Sequence, residues 1–200
     1  DWLSLIEISG PFLAVPVGAL LLAALPVVSP PAYYRLVEKF TTQMAHFPES
    51  DYGLLAARAA MIAYEHPVFG QGFDGFRNAC PDPRYHRGWA MAPLHPDGGG
   101  AGICNIHPHN HYLEAVTNAG VPGLVLFSAL VVAWLMALGR GLGARADPLR
   151  VGLFVAALIQ EWPLASASGF SAVEIAGLFF IQLGLGLALA RAACRQDDAT

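Results

Sequence analysis

Charge is what this sequence has least of. Asp, Glu, Lys and Arg make up 13% of its 200 residues, against about 25% in an ordinary soluble domain. The deficit is concentrated in four apolar segments, while the charge content between Tyr33 and Glu114 is normal. Basic residues are not in excess either: the net charge of -4 leaves no electrostatic footprint for nucleic acid. Also missing is a cleavable signal pattern of basic, apolar and small residues. Asp1 stands where an initiating methionine would, and an apolar stretch follows almost at once. The expectation is a piece cut from a longer membrane protein.

What is present reads as an all-α integral membrane chain of about four transmembrane helices with one large polar loop. The first span covers 1–29 and holds Pro11, Pro16 and Pro26, which a membrane helix tolerates because its neighbours re-satisfy the freed backbone groups. Pro30-Pro31 ends it. The polar loop is 30–119, with a helix from about Tyr52 to the residue before Pro67 and then an irregular, glycine- and proline-rich path. Further spans are expected at 120–139, 151–165 and 172–190, joined by 140–150 and a small turn, 166–171, and followed by the tail 191–200. Arg140, Arg145, Arg150, Arg191 and Arg195 put the short connection and the tail in the cytoplasm. The large loop then faces the other side, the periplasm of a bacterial inner membrane.

Cys80 and Cys104 both fall in that loop, on the oxidising side. A bridge between them would close about 25 residues and stabilise the loop by roughly 3 kcal/mol; two unpaired thiols are the alternative. Cys194, in the tail, is expected to be reduced.

The densest chemistry is His107-Pro108-His109-Asn110-His111-Tyr112-Leu113-Glu114, followed by Gly120-Val121-Pro122-Gly123. Asn110 is a plausible N-cap for a short helix from His111 to Ala119, with Glu114 in its first turn. Gly120 ends that helix and Pro122 starts the next. His109 lies just before the helix start, where the dipole disfavours imidazolium and keeps a neutral, basic ring, so it is a candidate general base. Two other readings stay open. The histidines fit a capping and packing role, and in an extended strand His107, His109 and His111 would share one face as a zinc or copper site. Arg58, Arg77, Arg84 and Arg87 are the loop's candidates for holding phosphate, Arg77 best placed after the glycines. Gly70, Gly72 and Gly75 mimic a dinucleotide fingerprint, but they follow a proline rather than a strand, which rules that reading out. Glu161, inside an apolar segment, is a weak functional candidate or a side chain snorkelling to the interface.

Three stretches resemble the O-antigen ligase and polymerase superfamily of bacterial membrane glycosyltransferases. His109-Asn110, nine residues, Gly120 and Gly123 fit the ligase pattern of His, then Asn, Ser or Gln, nine residues and Gly. His66 through Arg77, HPVFGQGFDGFR, is similar to the family's glycine-rich segment, and Trp162 to Phe170, WPLASASGF, to the stretch closing ligase-like members. The resemblance implies a GT-C-type fragment forming the C-terminal half of a metal-independent enzyme without cofactors. It implies a glycan donor on undecaprenyl pyrophosphate and an acceptor hydroxyl on lipid A-core or another glycan, at the periplasmic face among membrane lipids. It maps the family's catalytic histidine onto His109, with Asn110, Glu114, Gly120 and Gly123 in support. Pyrophosphate-binding arginines belong to the loop, Arg58 and Arg77 being the candidates, and Tyr52 stands where the family often has Arg. Polysaccharide polymerases and O-linked protein oligosaccharyltransferases share these motifs. From another class, a non-catalytic membrane metal-binding protein would use His107, His109 and His111.

Overall fold

A computed structural model of the chain describes residues 16–89, 99–143, 147–170 and 173–197. The first half of the expected span 1–29, the stretch from Pro93 to Gly98, Arg145, the end of the 166–171 turn and the last residues of the tail lie outside them. The described residues are helical, with no strand among them. They form two units, 1–50 and 51–200.

The first unit holds α1 (Pro16–Val28) and α2 (Pro30–Ala45), bent by 119° at their junction. Pro30 and Pro31 stand at the start of α2, and Ser29 before them leaves helical geometry, with φ -150° and ψ 79°. A residue before proline is pushed out of the helical region, whereas proline fits the first helical turn. The pair therefore ends one helix and begins another. A wide π turn over Tyr34–Glu38 interrupts α2.

The second unit contains α3 (Asp51–Glu65), α4 (Gly75–Ala79), α5 (His111–Gly139), α6 (Pro148–Gln160) and α7 (Val173–Asp197). Its loop portion has a core of its own, in which Leu55, Ala59 and Ile62 of α3 pack on Phe76, Ala79, Cys80 and Tyr85. Cys80 and Cys104 are bonded across this core with Cα atoms 5.8 Å apart. A second core joins Leu138, Ala157, Phe179 and Leu183 of α5, α6 and α7.

Within α5 the backbone leaves helical values at Ala119 and at Gly120, where φ is +66°. The short helix and the apolar helix expected on either side of Gly120 are thus two limbs of one broken rod. Among the described residues α5 and α7 are long and apolar enough to cross a membrane, with a third crossing if α1 and α2 together make one. These helices belong to an integral membrane protein. The expected span 151–165 is shorter than anticipated: α6 has 13 residues, about 20 Å at 1.5 Å per residue, against a hydrocarbon core of about 30 Å. It ends at Gln160 because Pro163 cannot continue the helical bonding, and residues 161–170 fold back as an irregular turn.

Candidate functional site

The His-Asn segment is a tight entry to α5. His109 has a left-handed backbone, φ +54°, a conformation uncommon for residues other than glycine, although asparagine, aspartate and histidine adopt it more often than the rest. Asn110 is extended, and its Oδ1 accepts from Tyr112 N and Leu113 N at 3.0 Å each. That satisfies two of the orphan donors at the helix start. Its Nδ2 donates to the carbonyls of Pro163 and Ala165, at 2.8 and 3.1 Å. Ala167 N donates to His109 O at 2.9 Å, and Tyr112 Oη donates to Glu161 O at 2.7 Å. The irregular turn after α6 is thereby clamped to the start of α5, and these bonds hold His109 in its unusual conformation.

The ring of His109 is half-buried. Asn105 Nδ2 lies 2.8 Å from its Nε2. His107 and Tyr52 stand edge-on to it, with ring centroids at 4.4 and 5.2 Å. His107 is buried, and its Nδ1 accepts the backbone N–H of His109 at 3.2 Å. Burial holds both imidazoles below their ordinary pKa, His107 also through His109 and His111 beside it. Burial thus acts on His109 in the direction expected of the helix end.

His111 faces elsewhere. Its Nδ1 lies 3.1 Å from Glu161 Oε2 and its Nε2 2.9 Å from Ser168 O. The Ser168 carbonyl can only accept, so Nε2 donates, and a carboxylate at Nδ1 completes an arrangement that suits imidazolium. The ring stacks on Phe170 with centroids 4.0 Å apart. Glu161 is 3% exposed. It does not snorkel to an interface; it is the buried counter-ion of His111. The three histidines therefore do not converge, and among the described residues no three His, Cys, Asp or Glu side chains are arranged to hold a metal ion. A cavity of about 310 Å³ lies behind the His111 ring, between Gln160, Ser168 and Phe179. Glu114, one turn into α5, sits against Gly169, where a Cβ would fall 2.6 Å from its carboxylate.

The glycine-rich stretch closes the other end of the short helix. Gln71 N and Gly72 N donate to Thr117 O and Asn118 O, at 2.8 and 2.9 Å. Gly75 N donates to Asn118 Oδ1 at 2.9 Å, and Val121 N to Pro67 O at 2.7 Å. This backbone-on-backbone docking leaves no room for side chains. A Cβ on Gly70 or on Gly120, both at positive φ, would lie 2.5 Å from the backbone opposite. A Cβ on Gly123 would come within 2.4 Å of the Ala119 methyl.

The two candidate arginines lie in contrasting places. Arg58 is fully buried. Its guanidinium points at Cys104 Sγ (2.8 Å), Cys80 Sγ (3.6 Å) and the Gly100 carbonyl. Arg77 has a side chain 60% exposed, 3.9 Å from Asp74. Arg84 is engaged by Asp82 through both Nε and Nη2. Glu161 as counter-ion and Asn105 as partner of His109 escape sequence reasoning. The one available signal was the lone carboxylate of Glu161 amid apolar residues.

A family model described as O-antigen ligase matches residues 5–128, a range that contains the glycine-rich stretch, the His-Asn segment and Gly123. No curated protein and no solved structure matches the chain.

Proposed function

The chain belongs to the O-antigen ligase family, and from that premise we propose that it transfers a glycan from undecaprenyl pyrophosphate to a sugar hydroxyl of lipid A-core at the periplasmic face of a bacterial inner membrane. Membership makes it a glycosyltransferase of the ligase or polymerase type. The observation that carries the finer reading is His109: half-buried, its pKa lowered by burial, and fixed at the start of α5 by Asn110 and Ala167.

In the proposed step His109 Nε2 takes the proton of the acceptor hydroxyl while that oxygen bonds to the anomeric carbon. The bond from that carbon to the pyrophosphate oxygen breaks, and undecaprenyl pyrophosphate leaves with the electron pair. A positioned base contributes about 10²–10⁴-fold. Departure of the anion is favoured by fixed positive charge. Exposure supports Arg77 in that role, and burial supports Arg58 as a brace under the disulfide. Glu114, Gly120 and Gly123 keep the short helix in place.

The test is His109→Ala, expressed at wild-type level in cells whose own copy is deleted. Loss of the lipopolysaccharide ladder is expected. A normal ladder overturns the role of His109. Single repeat units still attached, with only long chains lost, would assign polymerisation; loss of glycan from a protein acceptor would assign protein glycosylation.

A further inference from the structure

Asn105 is an exposed residue outside every motif that carried the resemblance, yet its orientation is fixed. Its Oδ1 accepts the backbone N–H of Ile106 at 2.7 Å, so the nitrogen of the amide is the atom that faces His109 Nε2 at 2.8 Å. An amide nitrogen has only donors. His109 Nε2 must therefore accept, and the neutral ring carries its proton on Nδ1. A second contact fixes the neighbouring ring: His107 Nδ1 accepts the backbone N–H of His109, which leaves the proton of neutral His107 on Nε2. The groups facing the His109 ring are Asn105, His107 and Tyr52. Among the described residues none of these is a carboxylate, and Asn105 is the one hydrogen-bonded to Nε2.

We propose that Asn105 is a positioning residue for glycan transfer: its amide selects the His109 tautomer with the lone pair on Nε2, and the acceptor hydroxyl enters by taking the place of that amide. The inference rests on His109 being the base. On transfer the acceptor proton goes to Nε2 and the ring becomes imidazolium, keeping its Nδ1 proton. Asn105 thus marks the direction from which the acceptor sugar approaches.

Asn105→Asp tests it. A carboxylate in the same place can only accept, so it would draw a proton onto Nε2 and stabilise imidazolium, raising the midpoint of the His109 titration by about one to two pH units. The measurement is the ring titration of His109 by NMR on histidine-labelled full-length protein, beside the pH profile of glycan transfer. Both the titration and the acid limb of the profile should move together. An unmoved titration overturns the role of Asn105. A moved titration with an unmoved acid limb leaves Asn105 as the partner of His109 and instead overturns His109 as the base. Should the variant fail to fold, the nitrogen shifts of His109 in the wild-type protein decide alone: a proton on Nδ1 supports the inference, and a proton on Nε2 overturns it.

Discussion

Glu161→Ala is expected to be the most destabilising single change in the second unit. Glu161 and His111 are 3% and 8% exposed, and the pair has little water to fall back on. Among the described residues Glu161 is the carboxylate hydrogen-bonded to the His111 ring, whose second contact is a carbonyl, while Glu114 acts on the ring without a hydrogen bond. Removing one partner of a buried pair leaves the other charge uncompensated and costs about 3–5 kcal/mol. Against a total stability of about 5–15 kcal/mol, that is a large fraction. In a domain of 150–250 residues each kcal/mol shifts the midpoint by about 2–4 °C, so a fall on the order of 10 °C is expected. The assay is thermal unfolding of purified protein in detergent, followed by tryptophan fluorescence, for Glu161→Ala, His111→Phe and the double variant. Because each single change removes the same pair, the double variant should cost well below the sum of the two. Additive losses within about 0.5 kcal/mol would refute the coupling and with it the charged state of His111.

Three further outcomes follow from the same geometry. Gly120→Ala puts a Cβ 2.5 Å from Pro67 O in a backbone region, φ +66° and ψ -163°, that is essentially reserved for glycine; it should cost more than the roughly 1–3 kcal/mol of the strained backbone alone, read as a lower unfolding midpoint, whereas Gly143→Ala, with nothing within 4 Å, serves as the silent control. Replacing Cys80 and Cys104 together by serine should cost about 3 kcal/mol, measured as the denaturant midpoint. His107 and His109 sit below their ordinary pKa when folded, so the unfolded chain binds more protons. The contribution of these two rings to stability is then complete above about pH 6.5 and falls as pH drops from there through the folded values. Unfolding midpoints between pH 5 and 7.5 check this, and His107→Gln should flatten the slope.

Local chemistry was legible in the sequence wherever one residue decides it. Asn110 is an N-cap because its short side chain reaches the next turn, and Gly120 breaks the rod because only glycine accepts its backbone; neither needs knowledge of a distant partner. Pro30-Pro31 was read correctly as an end, but the same pair also starts α2, since proline suits a first turn as well as it ends the preceding one. Glu161 could be read as a functional candidate but not as the partner of His111, which lies 50 positions away, since a carboxylate in an apolar segment looks the same whether it reaches water or a buried cation. Arg58 is similar: the small residues around it, Ala56, Ala57, Ala59 and Ala60, carry no periodicity that tells a buried guanidinium from an exposed one. Asn105 was invisible because its role depends on which way an amide is turned.

The three stretches that resemble the family, about 30 to 90 residues apart in the chain, meet on one short helix, residues 111–118. The His-Asn segment caps its start, the glycine-rich stretch takes up its final carbonyls, and the turn after α6 grips its first turn through Asn110, Tyr112 and His111. A helix of two turns is marginal alone, because nucleation fixes several dihedrals for one hydrogen bond. Closing both ends removes the frayed states that would otherwise let His109 drift. This explains why the glycines belong to the pattern although none carries a reactive group: a methyl at Gly70 or Gly120 would push the two backbones apart and release the far end of the helix that orients the imidazole. Displacements of about 1 Å at a reacting group can cost on the order of 10²-fold in rate. Substituting these glycines should therefore reduce transfer even where the protein still folds, and the loss should fall on turnover rather than on the protonation of His109.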